Sequence, residues 1–116
     1  MRYMIIVRAD PHGEAAEMAA FHAELARAGV LLDANRLRPS SEGWRIRYGD
    51  GQRRELAGPF AGSQESIAAY TLIQVRSREE ALAWARRFPA PGGPGRDGGE
   101  IELRLLSEPE ECRAEA

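Results

Sequence analysis

A chain of 116 residues with net charge -2, 43% hydrophobic and 29% charged residues, fits one globular domain able to bury its own core. The slight acidity argues against wholesale nucleic-acid or anionic-membrane binding. All 16 basic residues are Arg, which excludes lysine Schiff-base chemistry, and the single cysteine, Cys112, excludes a disulfide framework or a cysteine zinc site.

Tyr3 to Arg8 is rich in β-branched and aromatic residues, and Asp10-Pro11-His12-Gly13 follows it. It predicts a strand, apolar on both faces. Glu14 to Ala28 predicts a helix, with Met18, Phe21, Leu25 and Ala28 as one apolar stripe and Gly29 as its stop. Val30 to Leu32 starts a second extended segment, and Arg36 to Ser41 reads as a loop. Trp44-Arg45-Ile46-Arg47-Tyr48 alternates with period two and predicts a strand. Gly49-Asp50-Gly51 turns it back onto Gln52 to Leu56 as a hairpin. After the break at Ala57 to Gly62, Ile67 to Val75 predicts a strand. Its Ala69, Thr71, Ile73 and Val75 oppose Tyr70, Leu72 and Gln74. Ser77-Arg78-Glu79-Glu80 is a capping box opening a helix to about Arg87, which Pro89 ends. Pro89 to Gly99 reads as a linker, Ile101 to Leu105 as the last strand, and residues 107–116 as a polar tail.

Residues 1–106 therefore form one expected α+β domain. Two βαβ units with an inserted hairpin give a ferredoxin-like sandwich. The helices can cover only one sheet face, yet two strands are apolar on both. A homodimer packing through the other sheet face is expected. No apolar run approaches the roughly 18 residues of a membrane span. Met1 to Val7 is too short for a signal core, so the expected location is the cytoplasm, with no membrane partner.

Two histidines are present, His12 and His22. His22 lies on the stripe facing the sheet, where a half-buried imidazole can act as acid or base near neutral pH. Asp33, at a strand end, is its expected orienting partner. Arg45 and Arg47 share a strand face and, with Arg36, Arg38, Arg53 and Arg54, make residues 36–54 locally basic. Arg binds carboxylate or phosphate bidentately, so an anionic ligand or acidic protein surface is the expected counterpart. Phe60 and Tyr70 are expected to line a pocket with His22 and Asp33. No metal spacing is present, and no cofactor and no nucleic acid are expected.

Ala28-Gly29-Val30-Leu31-Leu32, Leu37-Arg38-Pro39-Ser40, Gly58-Pro59-Phe60, Glu80-Ala81-Leu82-Ala83-Trp84-Ala85 and Ile101-Glu102-Leu103-Arg104 recur in this order. Together they resemble the YCII-related domain family, in the branch named for its Asp-Gly-Pro-Phe (DGPF) motif. The resemblance runs from about Tyr3 to Leu106 and implies a dimeric α/β barrel of ferredoxin-like protomers. Some relatives resemble enzymes with a His-Asp pair. Others are associated with extracytoplasmic-function sigma factors. The motif's Asp is Ala57 here, and its usual Glu-Thr-Lys-Glu sequel is Gly62-Ser63-Gln64-Glu65. Glu65, the acid retained, joins Arg38, Arg45 and Arg47 among the expected pocket residues. The position of the family's helical His is Met18, with His22 one turn on. The leading expectation is a homodimeric small-molecule-binding protein or a cofactor-independent acid/base enzyme for a small organic substrate. The alternative is a non-enzymatic interaction module, such as a sigma-factor accessory, using the Arg-rich hairpin or the acidic tail.

Overall fold

The computed structural model describes residues 1–8, 15–60, 67–91 and 98–109. The elements are β1 (Arg2–Arg8), α1 (Ala15–Arg27), β2 (Leu31–Arg36), a 3-10 turn (Ser40–Glu42), β3 (Trp44–Gly49), β4 (Gln52–Ala57), β5 (Ile67–Gln74), α2 (Arg78–Arg86) and β6 (Glu100–Leu105). Four strands form an antiparallel sheet in the order β2-β5-β1-β6. With two helices this is an α+β arrangement consistent with the ferredoxin-like fold. β3 and β4 form a separate two-stranded ribbon. No helix among the described residues is long and apolar enough to cross a membrane.

Period-two alternation decides which sheet face is covered. Tyr3, Ile5 and Val7 of β1 are buried, while Met4 and Ile6 between them are only half-buried. On β5, Thr71 and Ile73 are buried and Tyr70 and Leu72 half-buried. Tyr3, Ile5 and Ile73 join Phe21 and Leu25 of α1 and Ala81 of α2 in one core. Phe21 links the helices, edge-on to Trp84 at 6.1 Å and to Phe88 at 5.1 Å. Leu25, Ile5 and Ile73 are fully buried. Leu25→Ala should therefore cost about 2–5 kcal/mol. The expected readout is a lower urea midpoint at unchanged slope.

The helix ends follow their local chemistry. Val30 N–H reaches back to Leu25 O and closes α1 with a Schellman-type bond at 3.1 Å. At α2, Ser77 Oγ accepts from Glu80 N–H at 3.1 Å, as a capping box requires. The Glu80 carboxylate takes the N–H of Arg76, one residue earlier than the box predicts.

β2 is longer than its sequence suggests. Asp33, Ala34, Asn35 and Arg36 are poor strand formers, yet they pair with Leu72, Thr71, Tyr70 and Ala69 of β5. Leu37 N–H extends the pairing to Ala68 O. Backbone pairing on β5 overrides the local preference. The bulge between Leu31 and Asp33 shifts the register and so resets which residues face the helices.

Candidate functional site

α1 brings Met18 and His22, one turn apart, over the end of the β2–β5 pair. There they line an open cavity of about 240 Å³ with residues 34–36 of β2 and 69–71 of β5. Thr71 points into it from the helix-covered side of β5 and is 1% exposed. His22 Nε2 lies 2.8 Å from Thr71 Oγ1. A neutral imidazole can take either part in that bond. Burial pushes the His22 pKa below its ordinary 6.5, because desolvation penalises the cation. The site therefore presents a neutral imidazole at pH 7, able to accept a proton from a bound molecule.

That shift has a sign that can be measured. Below pH 6.5 the unfolded chain protonates His22 while the native state resists. Stability should fall as the pH drops from there through the lower native pKa. His22→Gln should flatten this part of the stability profile, as followed by urea unfolding between pH 7 and 5. A profile unchanged by the substitution would contradict a desolvated imidazole.

Asp33 does not orient His22. The bulge after Leu31 turns Asp33 to the other sheet face. There its Oδ2 accepts from Tyr70 Oη at 2.9 Å, and Asn35 Nδ2 donates to Tyr70 Oη at 2.9 Å. Tyr70 and Asn35 also border the His22 cavity. Phe60, Arg38, Arg45 and Arg47 do not line it; Arg45 and Arg47 sit on the β3–β4 ribbon, which does not pair with the sheet. Arg45 instead stacks on Phe60 at 4.1 Å, and Arg38 pairs with Glu42 at 3.0 Å. Arg47 faces Arg54 across the ribbon. Glu65, His12 and the stretch 92–97 lie outside the described residues. Among the described residues no group of three or more His, Cys, Asp or Glu converges as a metal site would require.

Thr71 is the residue that pattern reading missed. Its signal was present: a hydroxyl in phase with Ala69, Ile73 and Val75 must find a partner when buried. Its ring partner is 49 residues away in sequence, a distance that periodicity does not span.

The YCII-related domain model matches residues 1–96, from β1 through α2 and including the His22 cavity. The chain is also 28% identical over 95 residues to "Uncharacterized protein R00369" of Rhizobium meliloti (strain 1021), covering 82% of this chain and 76% of that protein. The chain belongs to the YCII-related domain family.

Proposed function

We propose that this protein is a homodimeric small-molecule-binding domain whose ligand sits beside His22. Where it catalyses, it does so as a cofactor-independent acid/base enzyme with His22 as the proton acceptor. The observation that supports this is the neutral imidazole held on a buried threonine at an open cavity. The cavity, at about 240 Å³, is smaller than drug-sized pockets of roughly 300–1,000 Å³. It suits a small organic molecule. A thermal-shift screen against small metabolites, run on wild type and His22→Gln, tests the site. A compound that raises the wild-type melting temperature by several degrees should lose most of that effect in the variant. Equal stabilisation of both would place the ligand elsewhere.

The homodimer is argued from the open sheet face. Met4 lies opposite Leu72, and Ile6 opposite Tyr70, so four apolar side chains form one patch that neither helix covers. Arg8 and Arg104 bind Glu102 at 3.3 and 2.8 Å on the β6 side and hold its carboxyl below the usual range. An apolar centre with a charged rim is the pattern of an interface. A second copy applied to it gives the dimeric α/β barrel.

One observation favours the interaction-module alternative. Arg47 and Arg54 sit directly opposite each other on the exposed ribbon, a like-charge pairing that costs stability unless an anion approaches. An acidic protein surface, such as that of an extracytoplasmic-function sigma factor, would supply one. Arg45→Glu with Arg47→Glu should abolish such binding in a pull-down. Retained binding would remove this surface.

A further inference from the structure

The β3–β4 ribbon is uncovered by the rest of its own chain. Every residue of both strands is exposed. The radius of gyration, 16.3 Å, exceeds the roughly 13 Å of a compact chain this long, as a projecting arm requires. The two faces of the ribbon are unlike. Trp44, Ile46 and Tyr48 share one face, exposed at 68, 51 and 71%. Glu55 and Arg53 of β4 lie opposite Ile46 and Tyr48 on that face, with the Arg53 guanidinium 5.5 Å from the Tyr48 ring, while Arg45, Arg47, Arg54 and Leu56 share the other. The alternation of β3 belongs to strands with one face buried, and a two-stranded ribbon alone in water is marginal at best.

We propose that the ribbon is an exchanged arm. In the dimer, the Trp44–Ile46–Tyr48 face of each protomer lies on the open sheet face of the second copy. Arg45, Arg47 and Arg54 remain toward solvent. This rests on the homodimer proposed above. The area supports it. A standard interface buries about 800 Å² per partner, of which roughly 450–500 Å² is apolar. The four side chains of the sheet patch are already half-buried. Fully buried aromatic side chains account for roughly 150–250 Å² each. Trp44 and Tyr48, about two-thirds exposed, and Ile46, half exposed, therefore add roughly 300–400 Å² per arm. The arm thus supplies most of the apolar area that such an interface needs.

Connectivity and charge agree with this placement. The arm leaves the sheet after β2 and returns into β5, the strand that carries Tyr70 and Leu72, so the two apolar surfaces adjoin. Its base is held, since Gly58 N–H donates to Gly43 O at 2.9 Å. The opposite orientation would desolvate Arg45, Arg47 and Arg54 with no acid on their face, whereas the Trp44 face carries Arg53 and Glu55, one charge of each sign.

The chain has two tryptophans, so Trp84→Phe leaves Trp44 as the sole reporter. Light scattering gives the mass while acrylamide quenching reads Trp44 over the same concentrations. The expected result is a dimer in which quenching is severalfold weaker than in urea. A dimer with Trp44 quenched as freely as in urea would overturn the exchanged arm and leave the homodimer standing. A monomer at all concentrations would overturn both. Contact with the partner sheet is read by cross-linking in a Cys112→Ser background. Oxidising Ile46→Cys with Leu72→Cys should give covalent dimers, and Ile46→Cys alone should not. Covalent dimers from Ile46→Cys alone would place arm against arm and overturn the proposal.

Discussion

Leu72→Arg should abolish the homodimer proposed above and leave the protein monomeric. Leu72 is half-buried on β5, points away from the helices and lies opposite Met4 of β1. Asp33 of β2 is its other cross-strand neighbour. In the monomer the new guanidinium therefore meets a carboxylate and water, and the fold should be little affected. In the dimer two such groups enter an apolar interface, and each costs several kcal/mol to desolvate. A total of about 4 kcal/mol is enough to weaken the dissociation constant a thousandfold. Analytical ultracentrifugation reads the mass, and thermal unfolding of the dilute protein reads the fold. A stable dimer in the variant would rule out the open sheet face as the interface.

Gly58→Ala should destabilise the protein and displace the arm. A methyl group at Gly58 would sit 1.7 Å from the Ser40 carbonyl oxygen and 2.6 Å from its carbon. Both are backbone atoms, so no side-chain rotation relieves the overlap. The 3-10 turn at Ser40–Glu42 and the Gly58–Gly43 hydrogen bond must shift together. Overpacking of this kind costs about 1–3 kcal/mol. Gly43→Ala is the control, because its methyl would lie 3.7 Å from the same oxygen, an ordinary contact. The pair should separate clearly in urea unfolding. Equal stability of the two variants would contradict the close approach at the arm's base. The Gly-Pro-Phe motif thus has a physical basis here. Its glycine makes room for the Ser40 carbonyl, and Phe60 carries the Arg45 guanidinium.

The strands with strong local patterns were legible in the sequence. The Trp44–Tyr48 alternation and the Asp50-Gly51 turn locate the ribbon, where both turn residues take positive φ, 50° and 71°. Tyr3 to Arg8 and Ile67 to Val75 were legible as strands, and the structure places both at the centre of the sheet. The extent of β2 was not legible, because Asp33 to Arg36 is held by pairing with β5 and not by its own propensity. The same bulge explains the Asp33 error. One extra residue moves a side chain to the opposite face, and no local signal announces it. His22 was legible as a polar group on the sheet-facing stripe of α1. Its partner Thr71 was visible only as a hydroxyl in an apolar phase. The removal of Phe60, Arg45 and Arg47 from the cavity depends on how far the ribbon projects, which alternation does not encode.

The claim that a small molecule binds beside His22 is tested most directly by mapping where a ligand lands. Backbone amide shifts would be recorded while the strongest compound from the metabolite screen is titrated into the wild type. The account predicts changes concentrated at Met18, His22, Ala34, Ala69 and Thr71, with little change in the β3–β4 ribbon. Changes centred on the ribbon or on the β6 side of the sheet, with those five amides unmoved, would contradict it.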